Sequence, residues 1–135
     1  MIQAVRTTDV PPPSLLPALS RIVQMAKLAE NWDSEGGDPP TAEAVAAACF
    51  LIEAVAEHRQ QQGHVGIPPT TSSPIPDGGL QIEWRGPTAG IDVQTNPDGS
   101  YGYLVKWDSG SAARYEEADT ASLETVLALL DRVLD

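Results

Sequence analysis

The sequence predicts an α+β fold: two N-terminal helices, an antiparallel meander of three to four strands, and a C-terminal amphipathic helix packed on one sheet face. Three observations carry this reading. Apolar residues recur at three- and four-residue steps through residues 14–63 and again after residue 119, which is the period of a helix with one buried stripe. From Leu80 to Trp107 the period falls to two, which is the period of half-buried strands. Asn96-Pro97-Asp98-Gly99 is a tight-turn sequence, so the strands it joins run antiparallel. A sheet with one apolar face needs cover, and the three helices supply the only cover the chain offers.

With 135 residues the chain has room for one domain. Residues 1–13 end in Pro11-Pro12-Pro13, which have no amide donor and a fixed φ, and read as an extended arm. Residues 14–135 form the domain: a helical half over 14–63, a proline-rich linker over 64–77, and the sheet with the last helix over 78–135.

The first helix is expected from Ser14, its N-cap, to about Glu30. Leu15, Leu19, Ile22 and Ala26 make its stripe, Leu16 and Val23 widen it, and Pro17 is tolerated in the first turn. The glycines and prolines of Asn31-Trp32-Asp33-Ser34-Glu35-Gly36-Gly37-Asp38-Pro39-Pro40 then make a turn. Thr41 caps the second helix, Glu43 sits favourably in its first turn, and Val45, Ala48, Ile52, Val55 and Ala56 form its stripe. Gly63 supplies a left-handed stop. The prolines of 64–77 are expected to resist both helix and sheet pairing.

Leu80, Ile82 and Trp84 alternate with Gln81, Glu83 and Arg85 in the first strand, and Ile91, Val93 and Thr95 alternate with Asp92 and Gln94 in the second. Tyr101, Tyr103, Val105 and Trp107 mark the third, with Tyr101 and Trp107 as partly exposed anchors near its ends. Asp108-Ser109-Gly110 reads as a turn, and Ala113 to Glu116 as a short fourth strand. Asp119 or Thr120 is expected to cap the last helix, whose stripe is Leu123, Val126, Leu127, Leu130, Val133 and Leu134.

Charge narrows the function. Eight Lys and Arg stand against 19 Asp and Glu, a net charge of -11, which argues against direct nucleic-acid binding and against attraction to an anionic membrane. A single cysteine excludes an intrachain disulfide and a Cys-rich zinc site. Without an apolar run of about 20 residues or a signal-like start, the expected location is the cytoplasm.

Residue by residue, chemistry finds no constellation. The two histidines, His58 and His64, flank a glutamine run at a helix end and are expected to be solvated. Cys49 lies beside the apolar stripe of an alanine-rich helix and reads as a small hydrophobe. Glu53 and Glu57 share a helix face but have no Glu-x-x-His partner on another helix. The acidic turn lacks calcium-loop spacing, with Ala44 where a closing glutamate would stand. Asp77-Gly78-Gly79 precedes a strand, whereas a phosphate loop follows one. No catalytic, cofactor or metal residue is assigned.

The remaining candidates form an interaction surface. Gln81, Glu83, Arg85, Asp92, Gln94 and Lys106 point away from the apolar face, and Trp32, Asp33 and Glu35 lie in the turn after the first helix. The leading expectation is a non-enzymatic module that binds another protein, its oligomeric state open. Two alternatives stand beside it. One is an acidic mimic of nucleic acid that occupies the basic groove of a nuclease or restriction-type enzyme, although 8 acidic residues in 1–64 and 11 in 65–135 spread the charge along the chain. The other is an enzyme with a carboxylate metal site built from Glu53, Glu57 or the acidic turn.

Two segments carry a resemblance. Asn31-Trp32-Asp33 with its glycine-rich turn and Pro-Pro-Thr helix start is one, and Pro74-Ile75-Pro76-Asp77-Gly78-Gly79-Leu80-Gln81-Ile82-Glu83-Trp84 is the other. Together they resemble a group of small bacterial and phage-borne proteins with an Asn-Trp-Asp turn and a Pro…Asp-Gly-Gly…Glu-Trp strand. The resemblance implies a setting of mobile elements or host conflict and brings no catalytic activity with it; in such a setting the binding module is expected to be an accessory, neutralising or inhibitory component.

Overall fold

The computed structural model describes residues 13–109 and 112–135; of the expected arm over 1–13, only Pro13 falls within them. A 3-10 turn at Pro13–Leu15 leads into α1 (Leu16–Met25). Ser14 lies inside that turn, so the cap position falls to Leu15, which offers no side-chain hydrogen bond. The helix ends before Glu30 because the chain tightens. The amides of Lys27 and Leu28 bond the carbonyls three residues back, Gln24 at 3.1 Å and Met25 at 3.2 Å. Leu15, Ile22 and Met25 are buried, whereas Leu16 and Val23 stay about half exposed, so the stripe is narrower than its spacing suggests.

Helix α2 (Ala42–Gln61) begins as expected, with the Thr41 hydroxyl accepting from the Ala44 amide at 3.0 Å. Ala44, Ala48, Leu51, Ile52, Val55 and Ala56 form its buried face. Gly63, at φ 84, terminates the turn after it.

Five strands follow, not three or four: β1 (Thr71–Pro74), β2 (Leu80–Arg85), β3 (Ala89–Thr95), β4 (Tyr101–Ser109) and β5 (Ala112–Ala121). They lie side by side in chain order, each antiparallel to the one before. The extra strand comes from the stretch expected to resist pairing. An edge strand needs hydrogen bonds on one side only, and the prolines respect this: Pro68 and Pro69 precede β1 and Pro74 closes it, while Thr70 donates to the Glu83 carbonyl at 2.7 Å. Strand β5 runs past Glu116 and takes in Asp119 and Thr120, so α3 (Leu123–Leu134) is capped by Ser122, which accepts from Thr125 at 3.1 Å. Asp108 and Ser109, expected in a turn, pair in β4, and Gly110 lies outside the described residues.

The three helices share one side. Helix α1 lies over β1, α2 over β2 and β3, and α3 over β2, β3 and β4. Between the layers Leu80, Ile82, Trp84, Ile91, Val93 and Val105 meet Leu51, Ile52 and Val55 of α2 and Val126 and Leu130 of α3. Trp84, with no exposed surface, is the largest of these side chains. Gly86 brings the β2–β3 turn against the end of α3; a Cβ there would stand 1.7 Å from the Val133 carbonyl oxygen. Tyr101 and Trp107 are partly exposed, as expected, but both pack against the core cluster on the helix side. Tyr101 donates its hydroxyl to the Ala47 carbonyl of α2 at 3.1 Å, and the Trp107 indole donates to Glu116 beneath Arg132, whose guanidinium lies 4.7 Å above the ring.

A polar clamp joins the C-terminal ends of α2 and α3. Arg59, only 6% exposed, reaches Asp131 at 3.0 Å and Asp135 at 2.9 Å. His58, expected to be solvated, instead meets the other Asp131 oxygen at 2.7 Å, and Gln62 donates to that same oxygen at 3.1 Å. Burial pushes the Asp131 carboxyl up, but the hydrogen bonds from His58, Gln62 and Arg59 outweigh it and hold the group below the usual carboxylate range. Among the described residues no helix is long and apolar enough to cross a membrane.

Candidate interaction surface on the open sheet face

Side chains alternate along a strand, so burying Leu80, Ile82 and Trp84 commits Gln81, Glu83 and Arg85 to the opposite face. Register then arranges this face in rows. One row runs Ser73, Gln81, Gln94, Gly102; the next runs Thr71, Glu83, Asp92, Leu104, Glu117; a third runs Arg85, Gly90, Lys106, Tyr115. Gly90 has no side chain between the two cations. The result is a hollow of about 180 Å³ bordered by Glu83, Arg85, Asp92, Lys106 and Tyr115, with Leu104 and Asp108 beside it.

The electrostatics of the hollow are uneven. Arg85 reaches Glu83 at 3.3 Å, its guanidinium exposed and the carboxylate partly buried. Asp92 stands directly opposite Glu83, a like-charge cross-strand pair of the kind that destabilises a sheet. Partial burial, and then the Glu83 charge, push the Asp92 carboxyl up from its ordinary value, while Arg85 offsets part of the rise. Tyr115, 61% exposed, presents a broad apolar ring with a polar tip at the rim.

The expected residues therefore fall into separate places. Glu83, Arg85, Asp92 and Lys106 surround the hollow. Gln81 lies one row away, and Gln94 borders a wider depression of about 660 Å³ with Asp77, Asn96, Asp98 and Asp119 at the turn end of the sheet. Trp32, Asp33 and Glu35 belong to a loop whose hydrogen bonds run to the β1–β2 turn, where Asp38 donates to the Pro76 carbonyl at 2.8 Å. The Trp32 indole closes this loop on the Asp38 carbonyl at 2.7 Å. The Asp33 carboxylate accepts the Glu35 and Gly37 amides at 2.9 and 2.8 Å, which lower its pKa. Asn31, at φ 62, accepts the Gly36 amide at 2.6 Å. The polar groups of this loop are used in folding it; the Glu35 side chain is exposed.

Sequence reasoning missed Tyr115, Gly90, Leu104 and Asp108. Tyr115 was detectable: it pairs with Lys106, and the alternation of the strand from Ala113 places it outward. Gly90 is a small residue at an outward position beside Arg85, a gap that only the register reveals.

The surface is suited to recognition of charged and aromatic groups. Elsewhere, burial first and the Glu53 charge second push the Cys49 thiol up, so it is held protonated. Among the described residues no three His, Cys, Asp or Glu side chains converge as a metal site. Glu57, a candidate for such a site, hydrogen-bonds Gln61 at 3.5 Å on the exposed side of α2. Comparison of the chain with protein-family models, curated proteins and solved structures gives no match.

Proposed function

We propose that this chain is a non-enzymatic module that binds another protein through the outer face of its sheet. The observation that carries the reading is the hollow at Gly90, where Arg85, Lys106, Glu83 and Asp92 meet the exposed ring of Tyr115 on a face over which, among the described residues, no helix packs. Strands hold these groups at fixed spacings, and a rigid array of charges around an aromatic anchor suits a protein partner. The like-charge pair Glu83–Asp92 supports the same reading: a face shaped for stability alone would place opposite charges there. The module acts in the cytoplasm. Its role is accessory, neutralising or inhibitory in a bacterial or phage-borne conflict system, the setting that the Asn31-Trp32-Asp33 turn and the Glu83-Trp84 strand bring with their resemblance.

Affinity purification of the tagged chain from its native host, at low and at high salt, tests this reading against a Glu83→Ala/Arg85→Ala variant. A stoichiometric partner that the wild type keeps and the folded variant loses supports it. A wild-type chain that emerges alone at both salts refutes it.

The second reading, a nucleic-acid mimic, is favoured by a different observation. Asp77, Asp98 and Asp119 ring the wider depression at the turn end of the sheet, which Gln94 borders. A basic nuclease groove held there would be released steeply by salt, whereas an interface anchored on the Tyr115 ring, with charges of both signs around it, weakens less as ionic strength rises.

A further inference from the structure

Among the described residues strand β5 ends the sheet and pairs only with β4. Backbone parity determines which of its groups face the open edge. The Asp108 amide donates to the Thr88 carbonyl at 2.9 Å, so Asp108 turns its backbone groups towards β3. Lys106, two residues earlier, does the same, and its β5 partner Tyr115 therefore turns its own N–H and C=O away from β4. Ala113 and Glu117 share that parity. Three N–H and three C=O groups thus line an edge along which, among the described residues, no other strand pairs. This stretch of β5 contains neither proline nor bulge, two of the devices that blunt an edge, and the charges it carries, Arg114 against Glu116 and Glu117, are of both signs; the register irregularity lies further along, opposite Tyr101 and Tyr103.

We infer that this edge is a self-association surface: β5 of a second copy adds antiparallel to it about a two-fold axis at Tyr115. The charges select the register. Centred on Tyr115, Arg114 of each copy faces Glu116 of the other, Ala113 faces Glu117, and the two tyrosines meet at the axis. The neighbouring centres are worse, because an axis at Arg114, Glu116 or Glu117 sets that charge against itself. In the Tyr115 register the outward N–H and C=O groups of one copy meet those of the other, and the two sheets become one. The inference stands independently of the proposed role of the Gly90 hollow, although it would set two hollows on one continuous face.

Sedimentation of the full chain over a wide concentration range, with amide hydrogen exchange at each end of it, tests this. The wild type is expected to shift from monomer to dimer as concentration rises, with slowed exchange at Ala113, Tyr115 and Glu117. Tyr115→Pro removes one outward N–H without touching the β4 ladder and abolishes the dimer. Arg114→Glu, a change at an exposed side chain that leaves the backbone alone, turns both Arg–Glu pairs repulsive and weakens the dimer by about tenfold or more. A chain that stays monomeric throughout, or a dimer that Arg114→Glu leaves unweakened, overturns the inference.

Discussion

The two faces of the sheet are made from the same strands and the same alternation, yet they follow different rules. On the helix side, Leu80, Ile82, Trp84, Ile91, Val93 and Val105 are sealed and each touches the core cluster. On the open side, Glu83 confronts Asp92, Gly90 leaves a hollow, and Arg85 and Tyr115 reach into solvent. The inner face is organised by burial, which rewards close packing. The outer face contains a like-charge pair, Glu83 against Asp92, that Arg85 offsets only in part. The difference separates residues that hold the fold from residues free to serve recognition.

Substitution effects should divide along that line. Trp84→Ala empties the largest fully buried position and is expected to cost about 3–5 kcal/mol, read by urea denaturation. Gly86→Ala forces a Cβ into the Val133 carbonyl and should cost about 1–3 kcal/mol, with the damage concentrated where the β2–β3 turn meets α3. An unchanged melting temperature for either variant would break the comparison on its inner side.

The α2–α3 clamp comes next. Asp131→Asn leaves Arg59 with Asp135 alone and should cost about 1–2 kcal/mol at neutral pH. The sign of its pH dependence follows from the lowered pKa. The charged Asp131 is favoured in the folded state, so its contribution is present above the unfolded value of about 4 and is lost as pH falls through the lower folded value. The wild type should therefore lose stability more steeply than the Asn variant as acid is added below about pH 4. Parallel slopes in a pH series of melts would contradict this.

The smallest effects belong to the open face. Glu83→Ala and Arg85→Ala should each change stability by less than about 0.5 kcal/mol. Asp92→Asn should stabilise by a few tenths of a kcal/mol, since it removes a charge opposed to Glu83. Asp92 has its pKa raised, so its charged form is disfavoured in the folded state; the gain is present at neutral pH and fades as acid protonates the wild-type carboxyl. A substantial loss of stability from any of these three would show that the outer face is structural as well.

How much of this was legible from sequence depends on the range of the interactions. Local signals read well: Thr41 caps α2, Gly63 stops it, and the period-two pattern places Trp84 in the core and Glu83 outside. Signals that depend on a distant partner did not. Strand β1 exists because Thr71–Pro74 meets β2 across a tight turn, and composition alone argued against it. His58 and Arg59 looked like a solvated helix end until α3 brought Asp131 and Asp135 beside them. Trp107 is partly exposed as its place near the strand end suggests, but its stacking under Arg132 was not visible until α3 was placed. The site was half visible. Glu83, Arg85, Asp92 and Lys106 followed from alternation, whereas the hollow between them needed Gly90 set opposite both cations by register.

The most direct test is to fill that hollow without disturbing the fold. A Cβ at Gly90 meets only ordinary contacts, 3.8 Å from the Trp84 carbonyl and 3.9 Å from the Arg85 side chain, and a β-branched residue suits a strand. Gly90→Val, compared side by side with wild type for melting temperature and for retention of a copurified partner, is predicted to melt no lower than wild type and to lose the partner. A Gly90→Val chain that folds and keeps the partner would contradict the assignment of recognition to this face.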